Sequence, residues 1–246
     1  MCVKNRKDPV NPFESCGIAD IIALYRPPED VMHKLIAGVH RFRKNYRSEH
    51  WELFQRLAVH GQSPEALFIT CCDSRVDPVV ITHGKPGDLF IVKNIGNFVP
   101  PYSENPLEAT GVAAAVEYAV EHLHVRDIIV CGHSDCGAMK ALYVERSHFS
   151  ATPHIGAWLK NGDRTMRVVT ACYPELTREE RLEITSEENV LIQVENLRTY
   201  PVVQKATQEG KLHVHAWFFE IGEGQVYTHH PEKGQFEPIR EAMEVV

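Results

Sequence analysis

Leu67-Phe68-Ile69-Thr70-Cys71-Cys72-Asp73-Ser74-Arg75 is the stretch that decides how this chain folds and where its chemistry sits. Leu67 to Thr70 is short, rich in β-formers and without apolar–polar alternation. That is the pattern of a strand buried on both faces of a parallel sheet. The run then gives way at once to thiols, a carboxylate and a guanidinium. In α/β proteins the carboxyl ends of the strands face the crevice that holds the ligand. Cys71 and Asp73 are two apart, so an extended chain sends both side chains out from one face. Together they make half of a metal site.

The other half lies at Ile128-Ile129-Val130-Cys131-Gly132-His133-Ser134-Asp135-Cys136-Gly137. A second apolar strand, Asp127 to Cys131, runs into a turn, and Gly132 and Gly137 let the backbone bend tightly and start a helix. His133 and Cys136 stand at i and i+3. Two thiolates and an imidazole suit Zn2+, which binds Cys sulfur at about 2.3 Å and His nitrogen at about 2.0 Å. Three protein ligands leave a fourth position for water, as in catalytic zinc sites. One Zn2+ per chain on Cys71, His133 and Cys136 is therefore expected.

Asp73 is open to two readings. As a fourth ligand it displaces water and closes the site. Paired bidentately with Arg75, it is held away from the metal. A closed set of Cys71, Asp73, His133 and Cys136 would merely staple two loops, and carboxylates are uncommon in structural zinc, where Cys and His dominate.

Around these motifs the chain alternates between strand and helix. Residues 1–26 form an arm of mixed character, and residues 27–246 a single domain. Pro27-Pro28-Glu29-Asp30 opens a helix, with proline tolerated in the first turn and acids at its positive end. Val31, Leu35, Val39 and Phe42 line one stripe of it. His50 to Val59 makes a second short helix. Strands are expected at 67–71, 89–93, 128–131 and 212–221, with helices at 106–123, 138–144, a segment capped by Thr185-Ser186-Glu187-Glu188, and 201–209. Gln225 to Thr228 reads as an edge strand reached through Gly222 and Gly224. The fold class is α/β: a mainly parallel central sheet flanked by helices, with an N-terminal helical arm and an antiparallel edge strand.

Composition bounds the function. At 43% hydrophobic and 24% charged residues, 246 residues suffice for one large core. The net charge of −7 carries no long basic or acidic run, so no nucleic acid or membrane partner is expected. Seven cysteines, an odd count, two of them placed as ligands, point to a reducing compartment. Met1 to Asp20 has no h-region of a secretory signal. A cytoplasmic location is expected, or an organelle if an address was removed. Cys72 and Cys131 are expected to be buried small hydrophobes. His213, His215, His229 and His230 lack complementary ligands.

Cys-x-Asp-x-Arg after one strand and His-x-x-Cys-Gly after the next but one resemble the β-class carbonic anhydrases. The resemblance runs from Val31 to Ile221 and includes Gly87-Asp88-Leu89-Phe90-Ile91-Val92-Lys93-Asn94. Either motif alone is weak; the two together are specific. The resemblance implies a zinc lyase that converts CO2 to bicarbonate and a proton by zinc-bound hydroxide, with the Asp73–Arg75 dyad marking the open, active state. It implies that Gln62 donates to a substrate oxygen, that Phe90 and Tyr118 line an apolar pocket shared with an adjoining chain, and that Gly137 offers a backbone N–H. On their own, these are a loop residue, strand core, helix packing and a turn. A homodimer or dimer-based tetramer is implied, with the N-terminal helices packed on a neighbouring subunit. A bacterial subgroup closes its site under bicarbonate control with Trp, Arg and Tyr. Phe68, Lys93 and Phe219 stand at those places here, so the resemblance is to the plant-type, non-regulated subgroup. Two alternatives remain at this stage: a hydrolase of CS2 or COS on the same scaffold, and a non-catalytic zinc-stabilised binding protein. The latter has no need of Gln62, Asp73 and Arg75 together.

Overall fold

The apolar run at 67 forms strand β1, Ala66–Cys71, with every residue buried. It is the second strand of a sheet in a computed structural model that describes residues 29–105, 108 and 110–240. β2 (Leu89–Asn94), β3 (Asp127–His133), β4 (His213–Glu220), β5 (Gln225–His230) and β6 (Gln235–Pro238) complete it, in the order β2-β1-β3-β4-β5-β6. β1 pairs in parallel with β2 and β3, and β3 in parallel with β4; β5 and β6 add on antiparallel. Thr70 stands opposite Cys131, so β1 and β3 release their chains at the same end of the sheet.

The strand expected at the edge, Gln225–Thr228, is not the edge. β5 runs on to His230 and is paired on both sides, and β6 is the antiparallel border. The turn between them closes through Gly234 at φ +64, a conformation that suits glycine. β6 is four residues long and ends at Pro238, too short to announce itself as a strand.

Leu67, Ile69, Ile128 and Val130 are fully buried on one face of the sheet, in a single cluster with Val112, Val116, Val190, Val194 and Leu197. Each such side chain contributes about 1.5–3 kcal/mol relative to exposure. The first three helices in chain order are α1 (Glu29–Arg41), α2 (Arg47–His60) and α3 (Pro78–Ile81). α4 (Gly111–Glu117) is capped by Thr110, whose Oγ1 accepts from the Ala113 N–H at 3.2 Å, and it continues as a π-turn over Tyr118–His122. The expected helix at 106–123 thus begins at Gly111, and residues 106, 107 and 109 lie outside the described residues. α5 (Gly137–Leu142), α6 (Pro153–Trp158) and α7 (Asp163–Cys172) come next. α8 spans Arg178–Leu197 and α9 Pro201–Gln208.

The cap expected at Thr185–Glu188 lies inside α8. The helix starts two turns earlier, where Thr177 and Glu180 form a reciprocal capping box. Thr185 and Ser186 donate back to the carbonyls of Arg181 and Leu182, which lets short hydroxyl side chains sit inside a helix. Their small size serves close packing on β3. A Cβ at Gly132 would lie 2.6 Å from Val190 Cγ2 and 3.2 Å from the Ser186 carbonyl oxygen.

The described chain divides into two compact units between Val59 and His60. In the first, α1 (Glu29–Arg41) leads through a π-turn at Phe42–Tyr46 into α2 (Arg47–His60), kinked at His50. The stripe of Val31, Leu35, Val39 and Phe42 is exposed, with Leu35 at 59% and Val39 at 66%. The arm expected at 1–26 lies outside the described residues.

A buried polar ladder on α8 holds the loop after β2. Gln193 accepts from the Val99 N–H at 2.8 Å and donates to Asn189 Oδ1 at 3.0 Å; Asn189 donates to the Gly96 carbonyl at 3.0 Å. Asn196 donates to the Val99 carbonyl at 2.9 Å. Removing one member strands buried donors and acceptors, each at about 1–3 kcal/mol. Gln193→Leu is therefore expected to lower the unfolding free energy by about 1–3 kcal/mol. Urea titration checks this; an unchanged midpoint and slope would contradict it.

Candidate metal centre

Because β1 and β3 are neighbours, the loops that follow them meet. Cys71 closes β1, His133 closes β3, and Cys136 sits at the N-cap of α5. The ligand atoms of these three buried residues lie within 4.8 Å of one another, the one such group of His, Cys, Asp or Glu among the described residues. The two sulfurs are 4.0 Å apart. Sulfurs each about 2.3 Å from a tetrahedral zinc ion stand roughly 3.8 Å apart.

The histidine supplies the sharpest test of fit. Its Nδ1 lies 2.8 Å from the Ser134 carbonyl oxygen. A carbonyl only accepts, so Nδ1 carries the proton and Nε2 keeps a lone pair. Nε2 is buried and has no hydrogen-bond partner. Buried polar atoms are nearly always satisfied. A lone pair held this way, oriented through the other ring nitrogen, is what a metal ligand requires. These residues fit a Zn2+ ion.

The thiols are polarised in opposite directions. The Cys71 thiol is drawn down to about 4, first by the hydrogen bond from Cys136, with further help from the Gly96 N–H, against the effect of burial. The Gly96 N–H donates to Cys71 Sγ at 3.4 Å. Cys136 is pushed up by the neighbouring thiolate and by burial. Without metal the pair shares one proton.

Asp73 is turned toward Arg75. Arg75 Nη2 and Nε donate to Asp73 Oδ2 and Oδ1 at 2.8 and 3.0 Å, and the Arg75 backbone N–H adds a third bond at 2.9 Å. The guanidinium holds the carboxyl well below the usual carboxylate range. Asp73 Oδ2 remains 4.0 Å from His133 Nε2, beside the cluster.

The remaining expected site residues are placed as follows. Gly137 is the first residue of α5, and open space lies where a Cβ would project. Gln62 is exposed on the loop before β1. Phe90 and Tyr118 pack ring to ring at 5.9 Å. Phe90 stands opposite Leu67, four residues before Cys71, or roughly 13 Å of strand at about 3.3 Å per residue. The fold therefore gathers Cys71, Asp73, Arg75, His133 and Cys136, and leaves Gln62, Phe90 and Tyr118 away from that centre along the strand. Cys131 is fully buried as expected, but Cys72 is exposed, because β1 ends at Cys71 and Cys72 already lies in the loop beyond the sheet. His215 pairs with Asp127 at 2.7 Å, and His230 lies beside Glu232 and Glu237.

Three contacts were not foreseen from the sequence. Lys93 Nζ donates to the carbonyls of Asp73 and Val76 at 3.1 and 2.6 Å and props the loop after β1. Asn189 anchors Gly96. Asp135, between two ligands in sequence, accepts from Arg75; its position inside the His-x-x-Cys spacing was the available signal.

The shared proton is directly observable. A thiol with a lowered pKa is ionised above that value, so metal-free protein at pH 7 is expected to carry a thiolate at Cys71 that protonates as pH falls through about 4. Ultraviolet thiolate absorbance checks this. Cys71→Ser is expected to remove the acid-side transition; its persistence in that variant would contradict the assignment.

The carbonic anhydrase family model matches residues 66–226. The chain is 44% identical over 198 residues to a carbonic anhydrase of Synechocystis, covering 80% of this chain and 71% of that protein. It is 40% identical over 195 residues to a carbonic anhydrase of Pseudomonas aeruginosa, covering 79% and 86%. The solved structure of the β-carbonic anhydrase CcaA superposes with a TM-score of 0.81 at 42% identity, covering 86% of this chain and 93% of that one. A Coccomyxa β-carbonic anhydrase in complex with acetazolamide gives 0.70 at 29% identity, covering 84% and 86%. With two buried thiols, an orphaned imidazole nitrogen and an arginine-held aspartate on this sheet, the chain belongs to the β-class carbonic anhydrases, an enzyme family.

Proposed function

We propose that this protein binds one Zn2+ per chain on Cys71, His133 and Cys136 and catalyses the reversible hydration of CO2 to bicarbonate and a proton. The observation that carries the reading is the buried His133 Nε2 lone pair beside two sulfurs, with Asp73 held off by Arg75. Zinc at this place is a Lewis acid that makes a nucleophile of water near neutral pH.

The chain's own residues supply the rest. Asp73, ionised at working pH, can only accept hydrogen bonds, so it orients the attacking water by accepting a hydrogen bond from it. Arg75 keeps Asp73 in that second position. Gln62, set away from this chain's own cluster, donates to a substrate oxygen at the site of an adjoining chain, and the Gly137 N–H supports the product. Phe90 and Tyr118 form the apolar wall for CO2 of an adjoining chain, which makes the working unit a homodimer or a dimer-based tetramer. The exposed stripe Val31, Leu35 and Val39 is consistent with such an assembly, and two β-carbonic anhydrases of Sordaria macrospora are tetrameric. Phe68 and Phe219 are buried apolar residues, and Lys93 is tied to the loop carbonyls, which supports a site open at neutral pH without bicarbonate-driven closure. A cytoplasmic location accords with free cysteines throughout the described residues.

Stopped-flow CO2 hydration tests the proposal. Zinc-loaded protein is expected to turn over rapidly and to lose activity to a chelator. Asp73→Asn and Arg75→Ala are each expected to lower kcat by about a hundredfold, in the range typical of a lost proton-handling group. No hydration at one zinc per chain would overturn the reading, and assays with CS2 and COS would then identify a sulfur substrate.

The pH dependence is a separate expectation. Two thiolates leave no net positive charge on the site, so water is acidified less than in the all-histidine case, where its pKa is about 7. The rate is expected to climb through the alkaline side of neutrality. A profile flat from acid to alkaline would contradict it.

A further inference from the structure

Arg75 holds Asp73 away from the metal position, yet its own side chain is 44% exposed. Exposed ion pairs are weak, because water competes for both partners and long side chains lose entropy when fixed. A gate that depended on this pair alone would be open only part of the time. Arg75 has a second partner, itself 55% exposed, so the restraint comes from joining several charges in one network and not from any single pair. Its Nη1 donates to Asp135 Oδ2 at 3.0 Å, and its Nη2 reaches the Asp135 carbonyl oxygen at 3.4 Å. With Nε and Nη2 also on Asp73, all three guanidinium nitrogens are engaged.

Asp135 is well placed for this. It lies between His133 and Cys136 in the turn that carries both ligands, so its position follows the metal cluster itself. Its φ is +57, left-handed backbone that Asp and Asn enter more readily than most residues. That turn directs both its carboxylate and its carbonyl to one guanidinium. From the other side, Lys140 on α5 pairs with Asp135 Oδ1. The four side chains alternate in charge: Asp73, Arg75, Asp135, Lys140. They tie the loop after β1 to the loop after β3.

We propose that Asp135, supported by Lys140, is a positioning residue that locks Arg75 and so keeps Asp73 off the metal. This inference rests on the zinc hydratase reading for its kinetic consequence but not for its structural one. Asp135 touches neither the metal position nor the substrate; it acts through Arg75.

The test compares Asp135→Gly, Asp135→Asn and Lys140→Met with wild type, in zinc-loaded and Co2+-loaded forms. Glycine suits a positive φ, so Asp135→Gly deletes the carboxylate without straining the turn. In the cobalt protein the visible spectrum reports coordination number and ligand type. Asp135→Gly is expected to shift this spectrum toward that of Arg75→Ala, in which Asp73 is free to bind the metal, and a crystal structure of the cobalt form would show Asp73 ligating. kcat for CO2 is expected to fall about three- to tenfold, the modest effect of a half-exposed charge pair. Asp135→Asn keeps an acceptor oxygen and tolerates the left-handed backbone, and is expected to retain most of the wild-type spectrum. Lys140→Met is expected to fall between the two. A wild-type cobalt spectrum with wild-type kcat in Asp135→Gly overturns the proposal. If wild type fails to hydrate CO2, the function reading falls, and the cobalt spectra still decide the role of Asp135.

Discussion

The parallel pairing of β1 with β3 is the constraint on which everything else depends. A tetrahedral ion needs its ligands within a few ångströms, and here they come from chain segments more than sixty residues apart. Neither strand offers a complete site. Both are buried on each face, so their register is set by the core: Leu67, Ile69, Ile128 and Val130 fit beneath α8 in one arrangement. A slip of one residue would turn every side chain to the opposite face of the sheet. Burial of apolar groups far from the chemistry therefore decides whether Cys71 and His133 meet.

The electrostatics follow from that geometry. Two thiols and an imidazole crowded out of water are costly unless something takes up their lone pairs. The Ser134 carbonyl, the Gly96 N–H and the loop held by Asn189 and Gln193 orient the donors but leave one nitrogen unsatisfied. A divalent cation relieves this strain. The same crowding makes Asp73 dangerous, since a carboxylate 4.0 Å from the ligand nitrogen is an available fourth ligand. Arg75, itself in contact with Asp135 and through it with Lys140, turns this carboxylate toward the guanidinium.

Much of this was legible in the chain. The change from apolar run to thiol, carboxylate and guanidinium marked both the strand end and half of the site, because buried parallel strands and metal ligands each have strong local signatures. The His-x-x-Cys turn marked the other half. Less legible were features with weak local signals. Thr185 and Ser186 looked like a cap, since hydroxyl residues favour caps, yet they sit mid-helix because β3 needs small neighbours there. β6 was too short to see, so the strand before it looked like the border. Cys72 reads as core from its apolar neighbours, but the strand ends one residue before it and it stands exposed in the loop.

By itself, then, the sequence determined the candidate ligand residues, the Asp–Arg pair and the alternation of strands with helices, because each depends on residues close together in the chain. Only the tertiary structure decided that the two motifs converge, that Asp73 is turned toward Arg75, and that Asp135 and Lys140 meet that same arginine's charge network. It also placed Phe90 on β2 opposite Leu67, with Tyr118 of the π-turn packed against it, away from this chain's own sulfurs. Those outcomes depend on packing and on hydrogen bonds between distant segments, and no local spacing encodes them.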